Sequence, residues 1–202
     1  MDINRDASPG YPMGLSEREK GVLLDKELED VYDLVNERLL LMLNEEMPEV
    51  GPSKAYDLVR LGFCDPVRLF VKDEPHTVEK IKDERFRLVS SVSIIDEIIE
   101  RLLFSNQNNA EILNWEHCPS KPGIGLSLDE QAKTLFDSVK PRLGKRIKKS
   151  DVSGWDWNFK RWLYQMDCRC REKLARGKGL AIFIKLMRAR FMCLSWSVFI
   201  TS

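Results

Sequence analysis

Apolar residues at Leu24, Leu28, Val31, Val35 and Leu39 recur at the spacing of one helix face, and by Val67 the period has dropped to two. A chain that changes period in this way is neither a plain helical bundle nor a β-sandwich. Val67, Leu69 and Val71 alternate with Arg68, Phe70 and Lys72, the pattern of a strand with one buried face. A second strand is expected over residues 86–92, across a charged loop. Helical spacing returns over residues 94–104 and again from Ser127 to about Val139. Ser16-x-x-Glu19 and Ser127-x-x-Glu130 are capping-box signatures for two helix starts. Residues 54–61 predict a short helix ended by Gly62, and residues 146–152 a strand with Asp151 near its end. A further helix is expected from about Asn158, with Phe159, Trp162, Leu163 and Met166 on its buried side. Strands and helices mix without regular βαβ alternation, so the expected fold class is α+β.

The 202 residues, 43% of them hydrophobic, suffice for one substantial core or a lobe of a larger one. A net charge of zero conceals a partition. Residues 1–139 hold 16 Lys and Arg against 28 Asp and Glu, a balance of −12, while residues 140–202 hold 16 against 4, a balance of +12. A basic segment of this density points to a polyanion partner, or to two lobes that neutralise each other. His117-Cys118 and Cys168-x-Cys170 lack the paired spacings of a zinc site, and Cys168 and Cys170 are expected as buried or neutral thiols. An odd cysteine count without a signal peptide fits a reducing compartment. The longest apolar run, residues 180–200, contains Lys185, Arg188 and Arg190, which argues against a membrane span. A soluble, intracellular protein is expected.

Three segments carry chemistry. Asp151-Val152-Ser153-Gly154-Trp155-Asp156 sets two carboxylates five positions apart, behind a stretch (residues 140–149) with six basic residues in ten. The Asp151 carboxylate and the Val152 carbonyl are donors suited to Mg²⁺ or Mn²⁺, which take hard oxygens and phosphates. Asp156 would then reach the ribose of a nucleotide held there. The same pair fits equally a strand-end cap and a helix N-terminal charge. Lys72-Asp73-Glu74-Pro75, followed by Lys80, Lys82, Arg85 and Arg87, makes a basic hairpin. No Gly-rich phosphate loop is present, and cations on a hairpin would neutralise a nucleoside triphosphate instead, Arg through two donors. Taken alone, this is first of all a solvated charged turn neutralised by Glu79, Asp83 and Glu84. In Ser8-Pro9-Gly10-Tyr11-Pro12, two prolines stiffen a loop in which Gly10 admits close approach of another backbone. Such a loop could guide a template strand; in isolation it is an ordinary surface turn.

In this order and spacing the three segments, together with Arg85-Phe86-Arg87-Leu88-Val89 and Trp157, resemble a viral RNA-dependent RNA polymerase. The resemblance is to the sobemovirus and sobemo-like group of positive-strand RNA viruses, and it covers nearly the whole chain. It implies a partial right-hand polymerase fold. Residues 1–92 would be a fingers segment with motifs G and F, and residues 93–202 the start of the palm, with motif A and the lead-in to motif B. Asp151 would be the first metal-binding aspartate of motif A, with Val152 beside the ion, and Asp156 the aspartate that senses the ribose 2′-hydroxyl. Lys72, Lys80, Lys82, Arg85 and Arg87 would be the nucleotide-binding cations of motif F. Ser8, Pro9, Gly10 and Tyr11 would lie on the template path as motif G. The implied cofactor is Mg²⁺ or Mn²⁺. The implied partners are an RNA template, a primer or nascent strand, and nucleoside triphosphates, in a replication complex of the host cytoplasm. Asp156 also distinguishes the chain from reverse transcriptases, which place a bulky side chain there.

Members of that group continue into a motif B loop rich in Gly, Ser, Thr and Asn, then a Gly-Asp-Asp turn bearing another metal-binding aspartate. No Gly-Asp-Asp occurs here. The chain opens at motif G and closes on Phe199-Ile200-Thr201-Ser202, so a partial sequence is expected, lacking the C-terminal part of the palm and the thumb. Alone it should be inactive, with part of the apolar face of residues 180–200 exposed. Two other readings stand beside this one. The chain is a non-catalytic RNA-binding relic of a viral polymerase, or an interaction fragment whose first helix (residues 16–47) docks a partner.

Overall fold

The computed structural model describes residues 3–118, 127–144, 150–152 and 154–201; of Arg142, Asp156 and Trp157 it describes the backbone. Helix α1 (Lys20–Asn44) is followed by α2 (Ala55–Arg60), strand β1 (Val67–Val71), α3 (Val78–Lys82), β2 (Leu88–Ser91) and α4 (Ile94–Leu113). Then come α5 (Asp129–Val139), α6 (Trp155–Asn158), α7 (Arg161–Leu174), α8 (Leu180–Ser195) and β3 (Phe199–Thr201). The α+β expectation holds. Backbone contacts divide the chain into two compact units, one of residues 1–103 with 164–202 and one of residues 104–163. This division is one of compactness and differs in kind from the expected fingers and palm segments, 1–92 and 93–202.

In the first unit β1 lies between β2, antiparallel to it, and β3, parallel to it. Val71 faces Leu88 and Val67 faces Phe199. Strand β3 was hidden in the sequence inside one apolar run. The Ser197 hydroxyl donates to the Cys193 and Leu194 carbonyls, closing α8 and freeing the next residues to extend. Met42, Leu58, Phe63, Cys64, Ala189 and Cys193 form a buried cluster joining α1, α2 and α8.

Beside this cluster lies a buried ionic network. Asp96, 2% exposed, accepts hydrogen bonds from Arg38 at 2.9 Å and the Asp65 amide at 3.0 Å, and pairs with Arg190 at 3.1 Å. Arg38 also grips Asp65 with two nitrogens, and Arg190 reaches Glu100 at 2.6 Å. Burial works against the Arg190 charge, and Asp96 and Glu100 override it. Buried charges persist only when paired in this way. The cation that argued against a membrane span thus ties α8 to α4. No helix among the described residues is long and apolar enough to cross a membrane.

Several sequence expectations are corrected. Neither capping box forms: Glu19 and Leu128 precede α1 and α5 without a side-chain cap, and the Ser16 hydroxyl donates to the Met13 carbonyl in a 3-10 turn. Helix α1 is kinked at Glu27 (φ −127°, ψ 33°), which resets its buried stripe to Val31, Val35 and Met42 and turns Leu28 outward. Trp162 and Met166 are exposed rather than buried; α7 rotates Cys168 inward instead. The loop between the first strands contains α3, too short for periodicity to reveal. Most of the strand expected over residues 146–152 lies outside the described residues, and the described Ser150, Asp151 and Val152 are not in a strand. Leu180, Ile182 and Phe199 are exposed, as expected of part of that apolar face.

The second unit holds α5, which has no buried residue, a 3-10 turn over Lys140–Arg142, and α6. The Trp155 and Phe159 rings meet edge-on at 5.2 Å.

Candidate functional site

The register of β1 and β2 fixes the hairpin cluster. One step beyond the Val71–Leu88 pair, the Lys72 amide donates to the Arg87 carbonyl at 2.8 Å. Glu74, two residues after Lys72, lies at a bend that brings its side chain to both cations. Its carboxylate takes Lys72 Nζ at 2.8 Å and Arg87 Nη1 at 3.3 Å from both oxygens. The hydrogen bond from Lys72, aided by the Arg87 charge, holds the Glu74 carboxyl below the usual carboxylate range. Glu74 thus holds both cations together at the base of the hairpin, and Asp73, exposed, balances the remaining charge. The role of Glu74 shows in the sequence only as its i, i+2 spacing from Lys72.

At the tip, Thr77 caps α3 by accepting from the Lys80 amide at 3.4 Å, and Glu79 near its start and Lys80 and Lys82 near its end suit the helix dipole. Lys80 and Lys82 are exposed and in no ion pair among the described residues, whereas Arg85 pairs with Asp83 at 2.7 Å. The His76 and Phe86 rings meet edge-on at 5.3 Å, joining the two limbs of the hairpin.

The Ser8 to Pro12 loop docks on the far end of the same hairpin. The Pro9 carbonyl accepts from the Ile94 amide at 2.7 Å, and the Gly10 amide donates to the Ser8 hydroxyl at 3.2 Å. A Cβ on Gly10 would lie 2.3 Å from the Val92 carbonyl oxygen. The close approach read from Gly10 is therefore made by the chain's own turn from β2 into α4. Pro9 is buried, while Ser8 and Tyr11 are half-buried. A cleft of about 460 Å³ opens here, lined in part by Ser8, Lys20, Phe70, Ser91 and Glu97. Its Lys20 and Glu97 pair at 2.5 Å, so little charge is left for phosphate.

Asp151 and Asp156 belong to the second compact unit, the hairpin and the loop to the first. Asp151 is exposed, and its Oδ1 accepts from the Val152 amide at 3.0 Å. Gly154 adopts φ +60° and starts α6 at Trp155, which puts the Asp156 backbone in the first turn; its side chain lies outside the described residues. Of the basic stretch, residues 145–149 also lie outside them. Among the described residues no three His, Cys, Asp or Glu side chains cluster as a metal site. An exposed carboxylate fits Mg²⁺ or Mn²⁺ as one ligand of several, the rest being supplied by phosphate, water or further protein oxygens. Burial, then Glu172, pushes the Cys168 thiol up to about 11, and in the buried Cys64–Cys193 pair the hydrogen bond between them raises Cys64 and lowers Cys193. Cys170 is exposed.

A family model described as viral RNA-directed RNA-polymerase matches residues 1–167. The chain is 45% identical over 200 residues to the replicase polyprotein P2AB of Southern bean mosaic virus, covering 98% of this chain and 20% of that protein. It is 39% identical over 203 residues to the replicase polyprotein P2AB of Cocksfoot mottle virus, covering 98% and 21%. Against the RNA-directed RNA polymerase of Mushroom bacilliform virus it is 36% identical over 203 residues, covering 98% and 47%. The chain thus spans about a fifth of the length of those polyproteins. No solved structure matches it.

Proposed function

The chain belongs to the viral RNA-directed RNA polymerase family, and from that premise we propose that it is the fingers and early palm segment of a polymerase that copies RNA in a replication complex of the host cytoplasm. The observation that carries the reading is the hairpin: the strand register sets Lys72 beside Arg87, and Glu74 braces both. A preset pair of cations is what a triphosphate needs where no phosphate loop exists.

In the reaction, the 3′-hydroxyl oxygen of the nascent strand loses its proton to water and bonds to the α-phosphorus of the incoming nucleotide. The bond from that phosphorus to the bridging oxygen breaks, and pyrophosphate leaves. Lys72 and Arg87 neutralise the triphosphate, with Lys80, Lys82 and Arg85 adding positive field from the hairpin tip. Ser8 and Tyr11, half-buried, would border the template path, on a loop that buried Pro9 and Gly10 anchor to the turn into α4. Asp151, with the Val152 carbonyl, would hold Mg²⁺ or Mn²⁺, and Asp156 would hydrogen-bond the ribose 2′-hydroxyl. When bound, two such ions lower the pKa of the attacking hydroxyl and stabilise the leaving oxygen. The other metal-binding aspartate would come from a Gly-Asp-Asp turn in the rest of the palm.

The test is made in the replicase polyprotein that contains this chain. Asp151→Ala should lower RNA synthesis by about 10²-fold or more, the scale of losing one charge-stabilising group. Asp156→Ala should lower it less and raise the use of deoxynucleotides relative to ribonucleotides. Near-normal synthesis by Asp151→Ala would overturn the metal assignment. The 202-residue chain alone should extend no primer, and Mg²⁺-dependent extension by it would sink that part of the proposal.

A further inference from the structure

The corner between α7 and α8 carries charge that nucleotide addition leaves unused. Residues 164–202 hold eight Lys and Arg against two Asp and Glu. Arg171 pairs with Asp167, Arg188 with Glu172, and Arg190 with Asp96 and Glu100, while Lys185 donates to the Leu43 carbonyl. Arg169, Lys173, Arg176 and Lys178 are all exposed and in no ion pair among the described residues. Arg176 folds back to donate to the Lys173 and Ala175 carbonyls, both at 2.6 Å, which satisfies the end of α7. Arg169 and Lys173 stand one turn apart on that helix.

Apolar side chains are exposed at the same corner. Leu174, the last residue of α7, is 72% exposed, and Leu180 and Ile182 in the first turn of α8 are 37% and 56% exposed. Gly177 (φ +120°) and Gly179 (φ +73°) turn the chain between them, and a Cβ on either would meet nothing within 4 Å. The turn between the two helices is therefore open to solvent. A surface for nucleic-acid backbone uses hydroxyl and amide donors beside its cations, yet residues 168–182 contain no Ser, Thr, Asn, Gln or Tyr. An RNA strand would also leave Leu174 and Ile182 in water. Cations flanking exposed aliphatic side chains suit the boundary between anionic headgroups and acyl chains.

We propose that the α7–α8 corner is a peripheral contact with an anionic lipid surface. Leu174, Leu180 and Ile182 enter the headgroup–acyl boundary, and Arg169, Lys173, Arg176 and Lys178 meet lipid phosphates. The inference goes beyond the polymerase reading and does not rest on it, since it requires no catalysis.

Flotation of the whole chain with vesicles tests it, because aggregated protein stays at the bottom of the gradient. The chain should float with phosphatidylcholine–phosphatidylserine vesicles, not with phosphatidylcholine alone, and less at raised salt. Lys173→Gln with Lys178→Gln should weaken partition about 25-fold, at about fivefold per cation. Leu174→Ser with Ile182→Ser should weaken it about tenfold or more while leaving the affinity for a single-stranded oligoribonucleotide unchanged. All four positions are exposed, and an unaltered thermal transition in each variant verifies folding. Equal flotation with neutral vesicles, no flotation, or insensitivity to the Leu174 and Ile182 changes would overturn the proposal. Loss of oligoribonucleotide binding in the lysine variant, without vesicle binding by the wild type, would assign the corner to RNA instead.

Discussion

A methyl group on Gly10 would sit 2.3 Å from the Val92 carbonyl oxygen and 2.7 Å from the Ser93 nitrogen, both backbone atoms with no side-chain freedom to yield. Gly10 also holds φ +73°, a region costly for any residue with a Cβ. Gly10→Ala should therefore cost about 3 kcal/mol, combining backbone strain and overpacking. Gly51→Ala, where a Cβ meets nothing within 4 Å and φ is −137°, should stay within about 0.5 kcal/mol of wild type. Urea midpoints of the two variants check both values, and equal midpoints would contradict the assigned contact. The sequence made the need for close approach at Gly10 legible, since its neighbours Pro9 and Tyr11 leave little other use for a glycine there. It did not reveal that Val92 is the wall, because nothing local encodes a contact across so much chain. Glu74 is the converse case, a local i, i+2 relation whose purpose appears only once the strand register sets Arg87 across from Lys72.

At the scale of elements, α1 and α4 are joined at one end by Lys20 and Glu97, and Arg101 completes the cluster from the next turn of α4. Burial pushes the Glu97 carboxyl up, but hydrogen bonds from Lys20 and Arg101 outweigh it and hold the group below the usual carboxylate range. A carboxyl depressed on folding contributes stability that is fully present above its unfolded pKa of about 4.3. That contribution is lost as pH falls through the lower folded value. The urea midpoint should thus be flat from neutral pH to about 5 and then fall. Glu97→Gln should cost about 2 kcal/mol at neutral pH, because it leaves the Lys20 ammonium buried against a neutral amide. Its own acid-side decline should be shallower than that of the wild type; parallel curves would show that another group controls the acid limb. Elements with sustained periodicity, α1, β1 and α4, were legible from residue spacing, though α4 runs on to Leu113 past the expected Phe104. Those decided by tertiary partners were not. Strand β3 exists because β1 offers it a parallel edge, and Cys168 of α7 lies inward beside Glu172, which Arg188 of α8 grips.

Across the whole molecule, burial is unequal. The unit of residues 1–103 and 164–202 contains the apolar cluster and the ionic network, with Ile94, Ile99, Leu58 and Met187 fully buried. In the other unit, α5 buries no residue and exposes Phe136 and Val139, at 54% and 40%. Local opening free energies follow burial, so amides of α8 should open only with the whole unit while those of α5 open far more readily. Hydrogen exchange read by mass spectrometry should show peptides over residues 180–195 protected about 10²–10³-fold more strongly than peptides over residues 129–139, a gap of about 3–4 kcal/mol. Equal protection would mean that the chain unfolds as one cooperative body. The consequence reaches the proposed chemistry, because Asp151 and Asp156 lie in the sparsely buried unit while the hairpin cations lie in the well-buried one. Nucleotidyl transfer requires carboxylates held within a fraction of an ångström, and among the described residues of the second unit only Phe104 is buried. If the proposed function holds, a longer polymerase carrying this chain would cover the Phe136 face, and the same α5 peptides should then exchange more slowly than in the isolated chain. Unchanged exchange there would separate this unit from the polymerase core and count against its role in presenting Asp151.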